Sequence, residues 1–105
     1  MIRACDLADL PVGETVRVLA HVPIAVVNAE GELYAIDDTC SHQDASLADG
    51  YLEGFLIECP LHAACFDVRN GAPACLPAKK PLATYPVLVY EGVVYLDIAE
   101  IEEVA

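Results

Sequence analysis

The chain has 105 residues and a net charge of −12, with five basic residues against seventeen acidic ones. Such a surface repels nucleic-acid phosphates, so a nucleic-acid partner is excluded. Apolar residues make up 56%, yet no run approaches the roughly 20 residues that span a bilayer. The start Met1-Ile2-Arg3-Ala4-Cys5-Asp6 has no apolar signal-peptide region. The expectation is a cytoplasmic protein with no membrane association, built as one domain over residues 1–105. Five cysteines are an odd number and argue against a full disulfide framework in that compartment.

In chain order, residues 5–10 suggest a helical turn with Asp6 as its cap. Residues 15–20 alternate loosely as a strand, and residues 24–27 form a short apolar run. A turn at Asn28-Ala29-Glu30-Gly31 leads into a strand over residues 32–37. Residues 55–58 read as a strand that delivers Cys59, and residues 65–68 as a strand ending before Asn70-Gly71, a strong tight-turn signal. Residues 87–90, Glu91-Gly92 and residues 93–98 read as a hairpin, and the acidic residues 100–103 as an exposed tail. Short strands punctuated by Gly and Pro, without helical periodicity, predict an all-β sandwich or barrel.

The chemistry lies in two short pairs. Cys40-Ser41-His42 and Cys59-Pro60-Leu61-His62 are separated by residues 43–58, giving C-x-H-x16-C-x-x-H. Thiolates suit iron–sulfur and zinc centres, and imidazoles suit iron, zinc or copper. A structural Cys2His2 zinc module is one reading. The order of ligands favours another, because a zinc finger usually places a Cys pair ahead of a His pair. Here each loop carries one Cys and one His, which suits a binuclear [2Fe–2S] cluster straddled by two loops. His21 has no paired Cys and reads as a surface or strand-edge residue. Cys5, Cys65 and Cys75 read as small half-buried strand residues.

Asp38-Thr39-Cys40-Ser41-His42 and Glu58-Cys59-Pro60-Leu61-His62 resemble the Rieske signature. Asp44-Ala45-Ser46-Leu47, Gly50-Tyr51-Leu52-Glu53-Gly54, Phe66-Asp67-Val68-Arg69-Asn70-Gly71 and Leu76-Pro77-Ala78 are similar to the Rieske ferredoxins of bacterial aromatic-ring-hydroxylating dioxygenase systems. The resemblance implies a Rieske fold: an antiparallel β-sandwich base, residues 1–37 and 68–105, with a small inserted cluster-binding subdomain at about 38–67. It implies that one Rieske-type cluster is held by Cys40 and Cys59 on one iron and by His42 and His62 on the other. It also implies a proline-containing loop, residues 76–81, covering the cluster. The partners implied are a flavoprotein ferredoxin reductase as donor and a terminal ring-hydroxylating oxygenase as acceptor, with the protein itself a monomer.

Respiratory Rieske proteins carry a further Cys in each loop, and a Ser and a Tyr that hydrogen-bond the cluster and its thiolate. The matching positions here are Ala45, Leu61, Ala64 and Phe66. Hydrogen bonds to sulfur favour the reduced state, so their absence predicts a low potential, roughly −150 mV. No 2-His-1-carboxylate set and no nucleotide-binding glycine fingerprint is present, so an electron carrier rather than an enzyme is expected. A small Rieske-like subunit of a nitrite reductase is the alternative of a different class. Pro60, Leu61, Ala63 and Ala64 are expected around the histidine edge as an apolar docking patch. Asp37, Asp38, Asp44, Asp49, Glu53 and Glu58 are expected as an acidic rim, and Gln43 beside His42 as a modulator of partner contact.

Overall fold

A computed structural model describes residues 1–40, 45–61 and 63–98. Among the described residues, eleven short strands form three antiparallel sheets. The first sheet has the order β1 (Ile2–Asp6), β11 (Val93–Leu96), β10 (Val87–Tyr90). The second has β2 (Thr15–Leu19), β3 (Pro23–Ala29), β4 (Glu32–Asp37), β9 (Thr84–Tyr85). The third has β5 (Tyr51–Glu53), β6 (Leu56–Glu58), β7 (Cys65–Asp67), β8 (Pro73–Cys75). The all-β expectation holds. The third sheet takes in Pro73–Cys75, which follow the 38–67 stretch expected for the inserted unit. Among the described residues, no helix is long and apolar enough to cross a membrane.

β3 explains how the sheets join. Successive side chains in a strand point to opposite faces, and this strand is buried on both. Ile24 and Val26 enter one core with Leu10, Val18, Ala35, Val94 and Leu96. Ala25, Val27 and Ala29 enter a second core with Ile36, Cys40, Leu47, Ile57, Cys59, Ala64, Phe66, Val68, Ala78 and Leu82. One central strand therefore serves as wall to the base and as floor to the cysteine loops. A strand buried on both faces reads as a continuous apolar run, which is the pattern at residues 24–27.

Two local expectations are corrected. Cys5 and Asp6 belong to β1, paired across to Val94 and Val93, and only Leu7–Asp9 form a 3-10 turn. Asp6 does not cap that turn with its side chain; it pairs with Arg3 at 2.7 Å. Pairing with β11 satisfies more backbone groups than one helical turn can. The acidic residues 100–103 lie outside the described residues.

Candidate metal centre

Each cysteine of the motif closes a loop in the same way. The Cys40 N–H donates to the Ala45 carbonyl at 2.9 Å, and the Cys59 N–H donates to the Ala64 carbonyl at 2.7 Å. Both cysteines are buried, in the same apolar core, and the one disulfide among the described residues uses neither. The second loop turns through Ala63 at φ 59°. His42 and His62 lie outside the described residues, as do Asp44 and Gln43. The described half of the expected donor set is thus two buried thiols on equivalent turns. That fits a soft-metal or iron–sulfur group beside the core that also holds Ala64 and Phe66.

Two residues that sequence reasoning missed position these loops. Asp38, assigned to a solvated rim, is 1% exposed. Its carboxylate accepts the Ser46 hydroxyl at 2.6 Å and the Ala48 N–H at 2.9 Å, and it pairs with Arg17 Nε at 3.2 Å. Its carbonyl accepts the Leu47 N–H at 2.7 Å. Asp38 therefore clamps both ends of the first loop two residues before Cys40. Gly50 is the second: a Cβ there would lie 1.9 Å from the carbonyl oxygen of Glu58, the residue before Cys59. Only glycine lets the exit of the first loop approach the entry of the second so closely. Nothing in sequence spacing announces either contact.

The rest of the expected rim divides. Asp37 is a clamp too, accepting the Tyr85 hydroxyl at 2.5 Å and the Ala83 N–H at 3.2 Å. Burial first, then the bond to Asp37, pushes the Tyr85 phenol up to about 12. Asp49 and Glu53 are exposed. Asp67 and Arg69 pair at 2.8 Å, and Arg69 stacks 4.4 Å over Phe55. The Arg69 hydrogen bond holds the Asp67 carboxyl below its usual value. His21 is exposed, in the turn between β2 and β3, and meets Tyr85 edge-on at 5.9 Å, a surface residue rather than a strand-edge one.

Around the cysteine loops, Pro60, Leu61 and Ala63 are exposed, and so is Leu76 on the neighbouring loop. Ala64 is fully buried and leaves the expected apolar patch. On the loop of residues 76–81, Ala78 packs into the core that holds Cys40 and Cys59. Its far end is tied where the Leu82 N–H donates to the Gly71 carbonyl at 2.8 Å. Gly71 has φ 76°, and a Cβ there would meet the Leu82 carbonyl oxygen at 2.0 Å.

The cysteine reading needs one correction. Cys65 and Cys75 are joined as a disulfide between β7 and β8, with Cα atoms 4.8 Å apart. Cys65 is buried but Cys75 is exposed, so the pair is not two similar half-buried thiols. A sequence signal was available: both cysteines lie equally far from Asn70, the centre of the tight turn, so a hairpin there brings them face to face. Cys5 is a half-buried thiol raised mainly by burial.

Comparison with known proteins agrees with this geometry. Residues 1–86 match the Rieske [2Fe-2S] domain family. The 3-phenylpropionate/cinnamic acid dioxygenase ferredoxin subunit of Escherichia coli (strain K12) is 50% identical over 100 residues, covering 94% of each chain. The ferredoxin of Sphingomonas yanoikuyae B1 superposes with a TM-score of 0.88 at 39% identity, over 93% of this chain and 98% of that one. A chain of the complex of reduced oxygenase and oxidized ferredoxin in carbazole 1,9a-dioxygenase gives a TM-score of 0.89 at 38% identity, over 97% and 96%. The chain belongs to the Rieske [2Fe–2S] family, as a dioxygenase-type ferredoxin that carries electrons on one Rieske-type cluster and is not itself the oxygenase.

Proposed function

We propose that Cys40, His42, Cys59 and His62 hold the cluster, Cys40 and Cys59 on the buried iron and the two histidines on the outer one. The observation that carries this is the matched closure of the two loops, each turned by a cysteine N–H, with both thiols in one core. The cluster supplies one-electron chemistry when bound. The chain's own residues exclude water from the cysteines, fix the loops and present an apolar rim of Pro60, Leu61, Ala63 and Leu76. That rim suits a transient contact from which water is displaced. The chain's net charge of −12, with Asp49 and Glu53 exposed and Lys79 and Lys80 exposed on the neighbouring loop, steers a basic partner and makes the complex salt-sensitive.

The electron comes from a flavoprotein ferredoxin reductase and goes to a terminal ring-hydroxylating oxygenase in the degradation of an aromatic compound. The solved carbazole system, in which oxygenase and ferredoxin form a complex, supports the second step by similarity. The chain works as a cytoplasmic monomer, one domain whose cluster-binding part begins at about residue 38. A redox titration followed by visible absorbance and EPR tests the reading. The expected result is a Rieske signal on reduction near the low end of the family range, about −150 mV. Cys40→Ser or His62→Ala is expected to abolish it. Either variant keeping the full signal would falsify the ligand assignment, and a protein still colourless after anaerobic iron–sulfide reconstitution, with zinc bound, would overturn the electron-carrier reading.

A further inference from the structure

The Cys65–Cys75 bond joins an edge strand to the strand that follows the second cysteine loop. The ladder it reinforces is poor. The register shifts between Cys65 and Phe66, and Phe66 faces Pro73, which has no N–H to donate. Beyond the strand pair, the Asp67 N–H reaches the Ala72 carbonyl at 2.9 Å. The covalent bond is therefore a principal tie of β8 to the sheet. Directly after Cys75 comes the loop whose Ala78 packs with Cys40 and Cys59, and the Ala78 N–H donates to the Cys75 carbonyl at 3.0 Å.

The two residues differ in access. Cys65 is 3% exposed, whereas Cys75 is exposed. They border an open cleft of about 310 Å³ lined also by Tyr51, Glu53, Leu56 and Glu58. An incoming thiolate can reach the Cys75 sulfur and leave Cys65 as the departing group.

We propose that Cys65 and Cys75 form a thiol–disulfide exchange site for a dithiol reductant, and that its state sets how firmly the loop of residues 76–81 is held over the cluster. One thiolate of the reductant attacks Cys75 Sγ, forming a mixed disulfide and releasing the Cys65 thiolate, which takes a proton. The reductant's second thiol then displaces Cys75 as a thiolate, which is protonated in turn. The protein gains two electrons and two protons, and the reductant becomes its own disulfide. The reduced hairpin keeps its strands but loses the cross-link, so the loop opens more often. This coupling rests on the proposed ligation by Cys40 and Cys59; the bond itself does not.

The test uses the cluster-loaded protein. Acid quenching and alkylation with N-ethylmaleimide under denaturing conditions is expected to label three cysteines (Cys5, Cys40 and Cys59) before reduction and all five after dithiothreitol. Bleaching of the visible cluster band by an iron chelator is expected to run about tenfold faster after reduction. Cys75→Ser is expected to bleach at the fast rate, with or without dithiothreitol. Five labelled cysteines before reduction would overturn the disulfide site whether or not the cluster ligands are right. Three labels, with equal bleaching rates in the oxidised and reduced protein, would overturn the coupling to the loop while leaving the ligand assignment standing.

Discussion

Replacing Asp38 by Asn tests the claim that a buried carboxylate holds the first cysteine loop. Asn keeps one oxygen, enough for the Ala48 N–H, but turns an amide toward Ser46 and Arg17. Two charge-assisted contacts are lost, each worth about 1.5–3 kcal/mol. Arg17 is about half exposed, with 53% of its side-chain surface accessible against 1% for Asp38, so the freed guanidinium returns to water and offsets part of the loss. The net cost is about 3 kcal/mol, or a fall of about 2 M in the urea midpoint for a domain of this size. Arg17→Met instead strands the carboxylate in the core, at about 2 kcal/mol. Because both changes break one contact, the double variant is expected to cost at least about 1 kcal/mol less than the sum. Anaerobic urea unfolding followed by far-UV ellipticity, alongside iron content per chain, measures both effects. Asp38→Asn with an unchanged midpoint and full iron would refute the clamp.

Gly50→Ala places a methyl against the Glu58 carbonyl and is expected to cost about 1–3 kcal/mol and to lower iron content, read from the purified protein; unaltered iron would mean the loops tolerate separation. Phe66→Tyr puts a hydroxyl into the core shared with both cysteines and is expected to raise the midpoint potential by tens of mV, checked by redox titration; a lowered potential would contradict the sulfur hydrogen-bond argument. The Tyr85 phenol, raised to about 12 in the folded protein, titrates near 10 when unfolded. A group raised on folding stabilises fully below the unfolded value and loses that contribution as pH climbs through the folded one. Stability is therefore expected to fall between pH about 10 and 12, and Tyr85→Phe to flatten that part of the profile in urea midpoints measured across it.

Much of the molecule is legible in its sequence because the signals are local. β4 and β10 fall at residues 32–37 and 87–90 as expected, since alternation and flanking turns specify them within a few residues. The C-x-H and C-x-x-H pairs are local too, and their ligand order pointed to a binuclear cluster. Strands β1, β5 and β8 were less legible, because each is short and half-exposed and owes its extended form to a partner strand.

By itself, then, the sequence determined the chemistry on offer: two closely spaced Cys/His pairs, a strongly acidic composition, and an all-β chain. The tertiary structure alone decided what the remaining polar and small residues do with it. Asp38 and Glu53 are both carboxylates near the loops, yet one is a buried clamp and the other is solvated. Gly50 and Gly54 are both turn glycines, yet only Gly50 has a carbonyl in the space a side chain would fill. Cys5 and Cys75 are both spare thiols by spacing, yet only Cys75 faces another cysteine. The physical reason is the same in each case. Burial, close approach and pairing are set by chain segments distant in sequence, and no local pattern encodes which segment will arrive.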